Sequence, residues 1–170
     1  MKKVVILLSV IILPIFSISA KEPKIIQIGY VDIQKVMNNY SKGKQAIQYL
    51  QSLKDSYESK KKNMEDEIKK IEKELETKSK DLNETQLRDY LTTIETKRQE
   101  LEIFTKNANA DLKNKETSML KPLYEKILET LKKIAQEQGY NLVIDSKYVL
   151  IADPDLDLTD PLIKALEANP

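Results

Sequence analysis

The residues of this chain that could do chemistry are few, and the most suggestive group is an acidic run near the C-terminus. Asp153, Asp155 and Asp157 alternate along the chain, as the first ligands of a helix-loop-helix calcium site do. Such a loop also needs a glycine at its sixth position and a bidentate glutamate at its twelfth. Leu158 and Lys164 stand at those positions. We therefore interpret the run as a solvated turn and predict no metal site.

Catalytic chemistry is also poorly supported by the composition. The chain contains no histidine and no cysteine. The lack of histidine removes the commonest general base and the commonest metal ligand, and the lack of cysteine removes a disulfide framework. Aspartate, glutamate, lysine and serine remain, but they form no catalytic set that can be named. We predict that the protein is not an enzyme and needs no cofactor.

The net charge of the chain does not favour partners that are recognised mainly by their charge. Twenty-eight basic and 27 acidic residues give a formal net charge of +1. A strongly positive field, which would favour nucleic acid or anionic lipid, is therefore missing. We expect no nucleic-acid partner, and contact with a membrane surface is left open.

The N-terminal segment, residues 1–20, has the order of a secretory signal peptide. Lys2 and Lys3 precede a mostly apolar stretch that ends in the small residues Ser19 and Ala20. The stretch is short for a membrane span, which needs roughly 20 apolar residues. The alternative is an uncleaved N-terminal anchor. Cleavage after Ala20, or after Ser19, would leave a mature chain of residues 21–170 outside the cytoplasm, most simply in a bacterial periplasm.

A long segment without glycine dominates the rest of the chain. Between Lys44 and Gln138 there is no glycine and only one proline, Pro122, so the segment is predicted to be helical. Apolar residues recur at heptad spacing along two seams, with polar residues at five seam positions. The first seam is Leu50, Tyr57, Met64, Ile68, Ile71, Leu75 and Leu82; the second is Leu87, Leu91, Ile94, Leu101, Ala108, Leu112 and Met119; the weak positions are Lys61, Lys78, Arg98, Thr105 and Lys115.

The two seams predict a helical hairpin over residues 41–138 with its tip near residues 80–86. Asn83 is a good N-cap, and Gln86 at its third following position completes a capping box. The alternative is one continuous helix. It would hold the flanking β-strands far apart, and short lone strands are not stable. An antiparallel pair of arms brings the strands back together.

Pro122 interrupts the returning arm. Proline cannot donate a hydrogen bond to the Ser118 carbonyl and should bend the helix there. In the register of the hairpin Pro122 lies opposite about Tyr49. We predict a kink that lets the arms splay or curve, with a kink of no functional role as the alternative.

The flanking residues, 24–40 and 139–170, predict a small β platform. Three strands are expected, at Ile25–Val31, Asn141–Asp145 and Tyr148–Ala152, the last two joined as a tight hairpin. Asp160 is the expected N-cap of a closing helix, with Pro161 at its first position. The fold class is therefore α+β, mostly α: a long antiparallel coiled-coil hairpin on a small β platform. Because the platform is too small for a secure core and has open sheet edges, we expect it to oligomerise.

Several stretches resemble the Skp/OmpH family of periplasmic chaperones. They are "IGYVDIQKVM", "LKPLYEKILETLKKIAQEQGYNLVID" and "VLIADPDLDLTDPLIKAL", in that order around the Lys/Glu-rich hairpin. The resemblance implies a homotrimer whose β-barrel body carries helical tentacles. It also implies that unfolded outer-membrane proteins are held between the tentacles without ATP. Well-known members are strongly basic and this chain is not, so binding of lipopolysaccharide or anionic lipid is not carried over.

Apolar residues away from the seams are candidates for the surface that faces such a client. They are Tyr49, Tyr90, Ile103 and Phe104. Aromatic rings offer a large contact area to varied partners. The alternative for each is packing against the other helix of its own hairpin. At the level of the whole chain, the competing interpretation is a structural or adaptor coiled coil of the cell envelope.

Overall fold

The structure, a computed structural model, describes residues 26–169. The predicted signal peptide lies outside the described residues, as does Ile25 at the start of the first predicted strand. The elements, in chain order, are β1 (Ile28–Val31), α1 (Ile33–Asn39), α2 (Ser41–Lys78), α3 (Glu84–Glu137), β2 (Leu142–Asp145) and α4 (Thr159–Ala168), with short 3-10 turns at Ser146–Tyr148 and Pro154–Leu156. The chain is thus mostly helical with a small sheet, in agreement with the predicted α+β class.

Helices α2 and α3 form the two arms and meet at a short turn. The predicted capping box is confirmed: Asn83 Oδ1 accepts from the Gln86 backbone N–H at 2.9 Å, and Gln86 Oε1 accepts from that of Asn83 at 3.0 Å. This reciprocal pair satisfies two of the donors that a helix start leaves free. It fixes the beginning of α3 immediately after the tip.

The seam between the arms is only partly the one predicted. Ile68, Ile94 and Ala108 are buried in it. Leu87 and Leu91, which the heptad pattern assigns to the same seam, are exposed. The reason is the end of the opposite arm: α2 stops at Lys78, so the first turns of α3 face the tip residues instead of a helix. A heptad pattern marks apolar positions but cannot show where the partner helix ends.

The body contains a two-stranded parallel sheet. β1 pairs with β2 so that Ile28 lies beside Leu142 and Val31 beside Asp145. The third predicted strand, Tyr148–Ala152, is wrong for the single chain, and so is the predicted tight hairpin. The Asp145 side chain accepts from the Lys147 backbone N–H and starts a 3-10 turn there. This turn leads the chain away from the free edge of β2.

The core of the body joins the strand, the short helix, the base of α3 and the closing helix. It consists of Val31, Val36, Met37, Tyr40, Ile127, Leu131, Ile134, Leu158, Leu162 and Leu166. Burial raises the pKa of the Tyr40 hydroxyl, with a further contribution from Glu167. Glu167 in turn accepts from the Ser41 backbone N–H at 2.6 Å, which lowers its pKa. The last turn of α4 is thereby bonded to the first residue of α2.

The start of α4 differs from the prediction by one to two residues. The helix begins at Thr159 with Leu158 as its N-cap, so Asp160 and Pro161 lie inside its first turn. Proline is tolerated there because the first N–H groups of a helix have no intrahelical partner. Asp160 pairs with Lys35 at 2.9 Å. The backbone N–H of Thr159, the first residue of the helix, is bonded to Asp157 Oδ1 at 2.8 Å, so Asp157 takes part at the helix start in place of the predicted Asp160.

Thr159 joins α4 to the end of β1 and carries a testable contribution to stability. Its side chain is fully buried, and Oγ1 accepts from the Asp32 backbone N–H at 2.9 Å. We expect Thr159→Val to lower the free energy of unfolding by about 1–2 kcal/mol, because that N–H would lose its partner. Urea denaturation measures the change. Thr159→Ser keeps the hydroxyl and is the control; a valine variant as stable as the parent would contradict the assignment.

Candidate functional site

The acidic run near the C-terminus is engaged in local turns. The Asp153 side chain accepts from the Asp155 backbone N–H at 3.0 Å, and Asp157 Oδ1 accepts from that of Thr159 at 2.8 Å. The first contact caps the 3-10 turn at Pro154–Leu156, and the second bonds to the first residue of α4. These carboxylates therefore shape the chain between the sheet and α4.

Two grooves lie between the arms close to the body. One has a volume of about 240 Å³ and the other of about 390 Å³. Their linings are Ile47, Leu50, Gln51, Lys54, Leu112 and Glu116 for the first, and Lys42, Gln45, Ala46, Tyr49, Met119, Pro122 and Leu123 for the second. Both surfaces combine apolar side chains with long polar ones at the rim. Such shallow grooves suit chain segments better than a small rigid ligand.

Tyr49 and Pro122 line the same groove, so the predicted register of the two arms at this level is confirmed. Helix α3 continues through Pro122 from Glu84 to Glu137. Since the proline lacks an N–H, one bond of the helical ladder is missing there. A bend at Pro122, and its use in splaying the arms, stays a prediction.

The predicted wall residues fall into two groups. Tyr49 is 48% exposed and Ile103 is 60% exposed, so both are free to contact a partner. Tyr90 and Phe104 are half-buried. The Phe104 ring meets that of Tyr57 on the other arm edge to face, with 6.1 Å between centroids. Phe104 therefore packs within its own hairpin. This was the alternative considered for each of the four predicted wall residues.

A larger groove lies where the arms join the body. It has a volume of about 760 Å³, and Ile33, Ile47, Leu120 and Tyr124 contribute to its apolar surface. Tyr124 and Leu128, which are both exposed, lie four residues apart on one face of α3. Sequence reasoning missed this pair. Its i,i+4 spacing off the seam was the signal that could have revealed it.

The body also exposes an apolar segment after β2. Tyr148 is 75% exposed, Ile151 93% and Leu150 fully exposed. Ile28 and Leu142, the first residues of the two strands, are exposed as well. Apolar residues concentrated in this way mark a surface that another chain covers more often than one that stays in water.

Charged pairs link the arms towards the tip. Arg98 contacts Glu72 at 2.6 Å, and Lys97 contacts Glu67 at 3.5 Å, each across the seam. The carboxylates of Glu100 and then Glu67 raise the pKa of Lys97. At the weak position Arg98, the seam therefore carries an ion pair between the arms. Each pair is exposed and contributes little alone.

Over residues 26–169, no helix is both long and apolar enough to cross a membrane.

The fold defines a class of protein: a small α+β body that carries a long antiparallel helical hairpin with shallow apolar grooves at its base. The sequence profile of the family described as outer membrane protein (OmpH-like) matches residues 27–166. The chain belongs to this family, which confirms the resemblance that its flanking motifs indicated.

A solved structure supports the same fold. The chain is similar to a protein from Caulobacter crescentus CB15, described as a candidate outer membrane chaperone that is OmpH-like. The TM-score is 0.71 at 17% sequence identity, over 87% of this chain and 88% of the other. At this identity the likeness shows the fold alone. No curated protein matches the chain.

Proposed function

We propose that the protein is an ATP-independent holdase chaperone of the periplasm. It binds unfolded outer-membrane β-barrel proteins in a cavity between helical arms and prevents their aggregation. The observation that carries the proposal is the pair of long arms whose grooves expose apolar side chains beside charged rims. Family membership and the chaperone description of the Caulobacter crescentus protein support it.

The arms suit a client that has no fixed shape. An unfolded chain offers scattered apolar segments, so a binding partner gains more from a broad surface than from one precise pocket. Tyr49 on α2 and Ile103 on α3 provide exposed apolar area at two positions along the length of the hairpin. No bond is made or broken in such binding, and no cofactor is required.

The cavity needs several copies of the chain, and we propose a homotrimer with a β-barrel body. A two-stranded sheet is marginal by itself, and the unpaired edge of β2 invites a further strand. The exposed segment Tyr148–Ile151 lies close after β2 in the chain and is available to pair with a neighbouring copy. In this arrangement residues 24–40 and 139–170 form the body and residues 41–138 the arm of each subunit. The signal sequence at residues 1–20 supports export to the periplasm.

A client-holding assay tests the proposal. A urea-unfolded outer-membrane β-barrel is diluted into buffer with and without the mature protein, and turbidity is followed. We expect suppression of aggregation without nucleotide, near one assembled cage per client. Aggregation that proceeds as in buffer, over a wide range of ratios, would contradict the holdase function.

Variants of the wall residues make the assay specific. We expect Tyr49→Ser and Ile103→Ser each to weaken client binding by about fivefold, because each removes on the order of 1 kcal/mol of apolar contact. Asn107→Ser, an equally exposed change on α3, is the matched control. Client titration by fluorescence anisotropy measures the three variants. Equal affinities for all of them would exclude these two side chains from the client surface.

The second candidate is a structural or adaptor coiled coil of the cell envelope. The cross-arm pairs of Arg98 and Lys97 favour it, because they hold the distal half of the hairpin closed. An adaptor would bind one folded partner at a fixed interface and would leave the turbidity of unfolded clients unchanged.

A further inference from the structure

A polar and aromatic cluster joins the arms halfway along their length. The Tyr57 hydroxyl on α2 donates to Asp111 Oδ2 on α3 at 2.8 Å. The Tyr57 ring meets Phe104 edge to face, and the Lys60 ammonium lies 4.8 Å from the centroid of the Phe104 ring. We name Tyr57, Lys60, Phe104 and Asp111 the arm clasp. Three kinds of contact thus converge on one level of the seam.

The surroundings of the arm clasp favour a well-defined geometry. Ala108, one turn from Phe104 on α3, is buried. Its small side chain leaves room for the tyrosine ring to approach the opposite helix. The hydrogen bond to Asp111 raises the pKa of Tyr57, so the hydroxyl stays a protonated donor. The cavity left at this level is only about 60 Å³.

On the body side of the arm clasp the arms are loosely packed. Residues 47–56 of α2 and 112–119 of α3 include no buried side chain. The two grooves of about 240 and 390 Å³ open along this section. We name these two ranges the loose section. At its other end both arms are held by the body: Ile127 and Leu131 of α3 lie in the body core, and Ser41 at the start of α2 is bonded to Glu167.

On the tip side the arms are held by contacts of their own. Ile68 and Ile94 are buried between them, and Arg98 and Lys97 form cross-arm pairs. The hairpin turn with its capping box closes the far end. The loose section therefore lies between two fastened regions, and the arm clasp is the contact at its outer boundary.

We propose that the arm clasp limits how far the arms separate in the loose section. With the hydrogen bond made, α2 and α3 are joined at both ends of that section, and its grooves keep their width. With the bond broken, the end of the loose section that faces the tip is free, and the two helices open over residues 47–56 and 112–119. The inference concerns the chain itself and does not depend on the identity of a client.

Hydrogen exchange of the backbone amides tests the proposal on the assembled mature protein. Tyr57→Phe removes the hydroxyl and keeps the ring against Phe104. We expect amides of the loose section to exchange about five- to tenfold faster, since local opening becomes easier by the loss of one hydrogen bond. Amides of residues 61–75 should keep their rates. Asp111→Ala removes the acceptor from the opposite helix and should give the same regional pattern.

Two controls separate a clasp from general stability. Asp111→Asn keeps an acceptor oxygen for the tyrosine hydroxyl, so we expect near-parental exchange in the loose section. Arg98→Gln removes a cross-arm contact on the tip side and should leave the loose section unchanged. Parental rates in Tyr57→Phe, or a rise spread evenly over both arms, would overturn the proposal. Because no client is present, neither result depends on the holdase assay.

Discussion

Replacing Leu150 by aspartate should convert the assembled protein into monomers. Leu150 is fully exposed in the single chain and lies just after the 3-10 turn that follows β2, in the segment where we propose that a second copy pairs. In an assembly each subunit would place one new carboxylate in an apolar interface. Burial of a leucine contributes about 1.5–3 kcal/mol, and an unpaired charge costs more. We expect the subunit dissociation constant to rise at least about a hundredfold.

The exposure of Leu150 makes this experiment interpretable. Since the side chain makes no contribution to the core of the single chain, the variant should keep the far-UV circular dichroism of the parent. Analytical ultracentrifugation gives the mass of both. Leu150→Met keeps an apolar side chain and should remain assembled. A parent that is itself monomeric, or an aspartate variant with the parental trimer mass, would contradict the proposed assembly.

Gly43→Ala is expected to destabilise the body strongly. Gly43 is the third residue of α2 and is buried against α1. A Cβ at this position would lie closer to the Met37 carbonyl oxygen than the 3.0 Å that real Cβ atoms keep. A backbone atom cannot rotate away, so α1 would have to shift together with its buried residues Val36 and Met37. We expect a loss of about 3 kcal/mol in the free energy of unfolding.

The direction of this change opposes the intrinsic preference of helices. In an exposed helix interior, alanine is favoured over glycine by about 1 kcal/mol. The close approach of α1 is the reason that alanine is expected to be less stable than glycine at this position. Thermal denaturation followed by circular dichroism measures the effect, with Gly139→Ala as a second variant. Gly139 has φ +78°, so its replacement should cost about 1 kcal/mol through backbone strain. A Gly43→Ala protein as stable as the parent would show that α1 and α2 can separate freely.

The sequence by itself determined the helical part of this protein. A run without glycine, with heptad spacing, predicts long helices because the hydrogen bonds of a helix join residues four apart. The start of α3 was predictable for the same reason: Asn83 and Gln86 bond to each other three residues apart. The flanking motifs around β1 and β2 were specific enough to indicate the family.

The tertiary structure decided what depends on residues distant in the chain. The parallel pairing of Gly29 with Val143 follows from the return of α3. The predicted hairpin between Asn141–Asp145 and Tyr148–Ala152 is not formed in the single chain, and a short apolar run does not show by itself which segment it pairs with. Exposure of Leu87 and Leu91 depends on where the other arm ends.

The functional surface shows the same division. Tyr49 and Ile103 could be proposed from their positions off the seam. The contact of Phe104 with Tyr57 could not be predicted. Tyr57 and Asp111 are 54 residues apart in the chain, and each by itself resembles an ordinary seam or surface residue. Helices are therefore determined by neighbours in sequence, whereas the clasp, the grooves and the tight approach at Gly43 exist only once the arms have packed together.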